Sequence, residues 1–122
     1  MREVQKLLGE LAGKLDEFVA AAVVDSEGLP LAGVASDKNT DISIPSGMFA
    51  RAKAEVDKAF EITNWGIPGE YMFVSNTHIV TLSPLPGNRY LGICVRASAN
   101  LGMVRAIRNK YIKLLEDALR NL

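Results

Sequence analysis

Covalent catalysis needs a nucleophile, a base and a group that orients them. The 122 residues hold one histidine and one cysteine. His78 opens an apolar run and reads as a half-exposed strand residue; Cys94 lies between Ile93 and Val95 and reads as a small buried hydrophobe. Nothing around either residue resembles a Cys–His signature. Zinc sites need about four Cys/His ligands or a His–carboxylate set, which one Cys and one His do not suggest. Gly28, Gly33 and Gly47 are scattered, and neither Gly-x-x-x-x-Gly-Lys-Ser/Thr nor Gly-x-Gly-x-x-Gly occurs. The chain is therefore not a nucleotide hydrolase of the P-loop kind. Asn100-Leu101-Gly102 stands at a helix start, where free amides can receive an anion. Capping of that helix by Asn100 is the simpler reading. The carboxylate pairs Asp16/Glu17 and Glu116/Asp117 fall on helix faces expected to be solvated. The expectation is a chain that is not an enzyme and has no metal or cofactor.

The elements follow from hydrophobic period. Val4, Leu7, Leu8, Leu11, Leu15 and Phe18 recur at three- and four-residue spacing, which predicts a helix over about residues 3–16. Phe18–Val24 is apolar at every position, as in a strand covered on both faces. Asp25-Ser26-Glu27-Gly28 makes a turn. Leu29–Ala35 returns as a partner strand, and Pro30, lacking an amide, makes it either an edge strand or one whose early residues lie outside the ladder. Polar residues 36–47 form a loop entering a second helix near Ser46, and Glu61–Gly69 ends that helix with two Gly and one Pro. Tyr71–Val74 and His78–Leu82 form a tight hairpin, with Asn76 suited to left-handed backbone. Ser83–Asn88 is a longer turn into a strand at Arg89–Arg96, and a third helix runs from about Asn100 to Leu119. The order is α-β-β-α-β-β-β-α, an antiparallel α+β domain spanning residues 1–122.

Without a catalytic constellation, the surfaces of these elements carry the information. On the second helix, Met48, Phe49, Ala52, Val56, Ala59 and Phe60 form the expected core arc. Ala50 and Ala54 fall outside it beside Asp57, and small residues four apart let a second helix approach closely. Arg51, Lys53, Glu55, Asp57 and Lys58 would rim such a contact, unless the alanines serve only helix propensity. The third helix has an apolar arc (Val104, Ile107, Tyr111, Leu114, Leu115, Ala118) wide enough to touch the first helix as well as the sheet. Arg108 lies inside that arc. It is either a stem on apolar surface with a solvated head or half of a salt bridge. Trp65 is either a lid on the core or an exposed anchor of the kind that dominates interfaces.

Fourteen basic residues balance fourteen acidic ones, and apolar residues are 48% of the chain. That composition belongs to a folded domain, and zero net charge argues against a nucleic-acid partner. The balance is unequal along the chain, with 7 basic and 12 acidic groups in residues 1–88 and 7 basic and 2 acidic in residues 89–122. No apolar run approaches the ~20 residues of a membrane span. The charged, amphipathic Met1–Lys6 segment is no signal peptide, so the expected compartment is the cytoplasm.

Two stretches carry a resemblance: Asp25-Ser26-Glu27-Gly28-Leu29-Pro30-Leu31-Ala32 and Ala99-Asn100-Leu101-Gly102-Met103-Val104-Arg105. With the element order, they resemble the Roadblock/dynein light chain domain superfamily, and within it the MglB-type proteins that work with Ras-like GTPases. The resemblance covers nearly the whole chain. It implies a five-stranded antiparallel sheet of order 2-1-5-4-3, with helices 1 and 3 on one face and helix 2 on the other. It also implies a homodimer through Tyr71, Met72, Phe73 and Val74 with the Ala50/Ala54 stripe and Asp57. The implied function is regulatory or scaffolding contact with a Ras-like small GTPase, with Arg51, Lys53, Lys58 and Trp65 on the partner-binding side. Arg51 is not assigned as a catalytic finger. The alternatives are a small-molecule-sensing module of profilin or PAS type and a dynein-type cargo-adaptor subunit.

Overall fold

Val4, Leu7, Leu8 and Leu11 do line one buried helix face, and Leu15 follows them into the core just past the helix end. The computed structural model describes residues 1–122 as α1 (Arg2–Lys14), β1 (Phe18–Val24), β2 (Pro30–Ala35), α2 (Ser43–Thr63), β3 (Tyr71–Val74), β4 (His78–Leu85), β5 (Arg89–Arg96) and α3 (Leu101–Arg120). The strands form one antiparallel sheet of order β2-β1-β5-β4-β3. β1 is paired on both edges and covered on both faces, which accounts for its unbroken apolar run. Ala21 and Val23 join the larger core under α1 and α3, while Ala22 and Val24 join the smaller core under α2. Pro30 opens β2 at the sheet edge, opposite a register shift at Val23/Val24.

The β1–β2 turn is closed by Asp25, whose Oδ1 accepts from the amides of Glu27 and Leu29 at 2.9 and 3.0 Å. Gly28 sits at φ +87°, and a Cβ there would lie 2.7 Å from the Gly47 Cα. A glycine is required on both counts, and the turn thereby seats the start of α2.

Several boundaries differ from the sequence expectations. α2 begins at Ser43 rather than near Ser46. Pro45 falls in its first turn, where an amide has no intrahelical partner, so this proline does not delay the helix. β4 runs to Leu85 instead of Leu82. β3 reaches only as far as Tyr71 opposite Leu82, so residues 83–85 pair with β5 alone, and Pro84 is tolerated on that half-free stretch. Asn76 does not use left-handed backbone, which among non-glycine residues falls instead at Glu17, Asn64 and Asn88. The β3–β4 turn is held by Ser75, whose Oγ accepts from the amides of Thr77 and His78. Asn100 does cap α3, its side chain accepting from the Met103 amide at 3.1 Å. α3 packs on α1 as well as the sheet. Leu114, expected in its apolar arc, is exposed, and the buried line is Val104, Arg108, Tyr111, Leu115 and Leu119.

Candidate interaction surface

Alternation along a strand sends successive side chains to opposite faces. Glu70 and Tyr71, at the entry to β3, use that alternation to reach two different helices. The Glu70 carboxylate accepts from Arg105 Nε and Nη2 at 3.2 and 2.9 Å and also from Arg108 Nη1. Arg108 also donates from Nε and Nη2 to Asn109 Oδ1 at 3.2 and 3.0 Å. The bond from Arg105 is the largest cause holding the Glu70 carboxyl below the usual carboxylate range; burial opposes it and Arg108 adds to it. Of the two readings of Arg108, the salt bridge is correct. Its head is not solvated, and the residue is only 8% exposed.

On the other face, the Tyr71 hydroxyl donates to Asp57 Oδ1, and Lys53 Nζ reaches Asp57 Oδ2 at 2.9 Å. Lys53 also lies 5.5 Å above the Tyr71 ring. Burial, and then Asp57, raises the Tyr71 phenol well above its ordinary value. Nearer the start of α2, the Tyr90 hydroxyl donates to the Ser46 carbonyl at 2.8 Å, and burial pushes Tyr90 up to about 12. These polar bonds fix α2 along the end of the sheet where Gly28, Tyr90 and Tyr71 lie.

The face that α2 buries differs from the expected arc. Ser46, Phe49, Ala50, Lys53, Val56, Asp57 and Phe60 turn toward the sheet, whereas Met48 is 57% exposed and Ala59 is exposed. An apolarity wheel excludes charged residues from the inward side. Here Lys53 and Asp57 stand inward because they neutralise each other and Asp57 accepts from the Tyr71 hydroxyl, which rotates the buried stripe away from Met48 and Ala59. Ala50 packs toward Gly28. Ala54 is exposed, bordering a cleft with Asp25, Ser26 and Asn88. The Ala50/Ala54 flank thus faces the chain's own turns. The opposite flank, Met48 and Ala52, lies on the Phe49 side of the helix, and it is Phe49 that borders open sheet.

That open sheet is a groove of about 170 Å³ with an almost wholly apolar lining. Small residues of β1 and β5 (Ala20, Ala22, Gly92, Cys94) form its floor, with Val80 and Leu82 of β4 beside them and Ile42 and Phe49 as walls. Phe49 also meets Phe73 at 5.3 Å between ring centres. Beyond Phe73 the sheet ends, and the outer edge of β3 has no strand against it. Trp65 is not a lid on the core. It is 74% exposed and stands edge-on to Phe60 at 6.4 Å. Arg51 is exposed, and Lys58 is exposed and paired with Glu55 at 3.2 Å. His78 is half-buried with Nδ1 on Thr77 Oγ1, and burial raises the Cys94 thiol. Glu70 is the structural residue that the sequence reading did not single out. The only available signal was a carboxylate just ahead of a strand, with two arginines three apart on a later helix.

No protein-family model matches the chain, and no curated protein matches it in sequence. Solved structures do match it. MglB of Myxococcus xanthus superposes with a TM-score of 0.89 at 13% identity, covering 98% of this chain and 96% of that one. The fold is the roadblock fold. A structure described as MglB with tetrameric arrangement gives 0.85 at 14% identity, over 95% of this chain and 87% of that one. A Roadblock/LC7 domain from Streptomyces avermitilis gives 0.85 at 11% identity, over 95% and 97%. The roadblock sheet order, with α1 and α3 on one face and α2 on the other, is the arrangement that the resemblance implies. No helix of the chain is long and apolar enough to cross a membrane.

Proposed function

We propose that the chain is a non-catalytic regulatory or scaffold protein that acts as a homodimer and binds a Ras-like small GTPase. The observation that carries this reading is the unpaired edge of β3 beside an apolar groove and an apolar helix flank, on a roadblock fold. An open strand edge next to exposed apolar surface invites pairing with another chain. Copies of a structurally similar MglB are described in a tetrameric arrangement, which supports self-association here. A two-fold axis would pair β3 antiparallel with β3 of a second copy, using Tyr71, Met72, Phe73 and Val74. The Met48/Ala52 flank of α2 would then face the axis, and the Ala50/Ala54 flank would face away from it. Asp57 and Lys53 hold β3 and α2 together, and so support the edge that would pair. Arg51 and Lys58 remain in solvent to meet an acidic GTPase surface.

The test is a pull-down with Ras-like GTPases of the same organism, loaded with GDP or a non-hydrolysable GTP analogue. Retention that depends on the nucleotide is expected; equal absence of retention in both states contradicts the reading. A small-molecule sensor is the second reading, favoured by the volume of the groove. Ligand sites carry a few convergent polar groups that orient the ligand, and this lining offers almost none.

A further inference from the structure

Trp65 and the groove beside α2 are large unpartnered apolar features of the same protein, one protruding and one concave. We infer that they form one contact: the Trp65 indole of one copy fills the groove of the second copy. The inference rests on the homodimer proposed above and names the residue that anchors it.

Strand direction carries the argument. The bond from Tyr71 to Asp57 places α2 over the starting end of β3. Residues 61–67 continue beyond that point in solvent. At 1.5 Å per residue, the eight steps from Asp57 to Trp65 reach up to about 12 Å. That is about two and a half strand spacings, which brings the backbone over β4 of the facing sheet, at Val80, and leaves the indole side chain to span the remaining distance to β5. In an antiparallel β3–β3 pair, the Tyr71 end of one copy lies beside the Val74 end of the other. The end of the second copy's α2 therefore overhangs the half of this sheet that its own α2 leaves bare. The groove opens on that half: Val80 stands opposite Phe73 in one ladder and opposite Cys94 in the next.

Shape and chemistry agree. An apolar cavity of about 150 Å³ is known to take a benzene ring, and this groove is about 170 Å³. Its floor of Ala20, Ala22, Gly92 and Cys94 leaves room that no side chain of its own copy fills. An indole brings an apolar body and keeps its N–H at the rim. Trp65 is already oriented: Asn64 takes left-handed backbone at φ +58°, and the Trp65 amide donates to the Phe60 carbonyl at 3.0 Å. An anchor fixed in advance loses little freedom on binding.

The protein holds one tryptophan and one cysteine, so both halves of the contact have native reporters. Light scattering first establishes the dimer. On association from dilute solution, Trp65 emission should move to shorter wavelength with weaker acrylamide quenching. Alkylation of Cys94 by iodoacetamide should slow about tenfold. Trp65→Ala should raise the dimer dissociation constant about tenfold or more and return Cys94 to the monomer rate. A dimer whose Trp65 stays quenchable and whose Cys94 reacts at the monomer rate overturns the anchor and leaves the pairing intact. A chain monomeric at every concentration overturns both. Cys94 protection that ignores concentration also overturns the anchor, since the groove is then filled without a second copy.

Discussion

Glu70 and Tyr71 are adjacent in sequence, and each is held by a different helix: Glu70 by Arg105 and Arg108 of α3, Tyr71 by Asp57 of α2. Removing one partner of a buried ion pair leaves the other charge uncompensated, at a cost of about 3 kcal/mol. Glu70→Ala should lose about that much in urea denaturation. The pH dependence has a definite sign. The Glu70 carboxyl is lowered in the folded protein, so its contribution is complete above the unfolded value of about 4.3 and fades as pH falls through the folded value. The stability gap between the native chain and Glu70→Gln should therefore be constant near neutrality and close in acid, as read from denaturation midpoints across pH. At the other end of the chain, Asn100→Ala removes the cap of α3 and should cost about 1 kcal/mol, seen as a lower thermal midpoint. The cap was legible in the sequence because it is a local pattern. The Glu70–Arg108 bond joins residues 38 apart, and no local pattern reports such a partner.

At the scale of elements, period identified all eight and their order, because β1 is buried on two faces and α1 and α3 on one. Boundaries were less legible where proline has two meanings. Pro45 resembles a loop residue but fits a first helical turn, and Pro84 resembles a strand breaker but lies where β4 has one neighbour. The buried face of α2 was hidden for a different reason. Charged residues turn inward there, and hydrophobic spacing cannot register that Lys53, Asp57 and Tyr71 satisfy one another. Ala50 and Ala54 drew notice as a small-residue stripe, yet the open groove adjoins the other flank. The two flanks are separable by substitution. Ala52→Arg places a charge on the flank facing the proposed axis and should shift the mass by light scattering from dimer to monomer. Ala54→Arg, on the flank facing the turns, should leave the mass unchanged. The reverse pattern would move the interface to the Ala50/Ala54 side.

For the whole molecule, zero net charge conceals an acidic first part and a basic last strand and helix. A separated field of this kind steers charged partners during encounter, so binding of an acidic partner should weaken as salt rises. The roadblock fold by itself assigns no partner, since one fold hosts many functions. The proposed homodimer stands on the unpaired β3 edge, the apolar groove and the α2 flank together, which leaves the proposed GTPase contact to exposed residues such as Arg51 and Lys58. Sedimentation velocity of the chain mixed with a Ras-like GTPase of the same organism tests it most directly. With a GTP analogue bound, the account predicts a species heavier than the homodimer, containing two copies of this chain and the GTPase. Separate sedimentation of the two proteins in both nucleotide states, with this chain as a monomer, would contradict it.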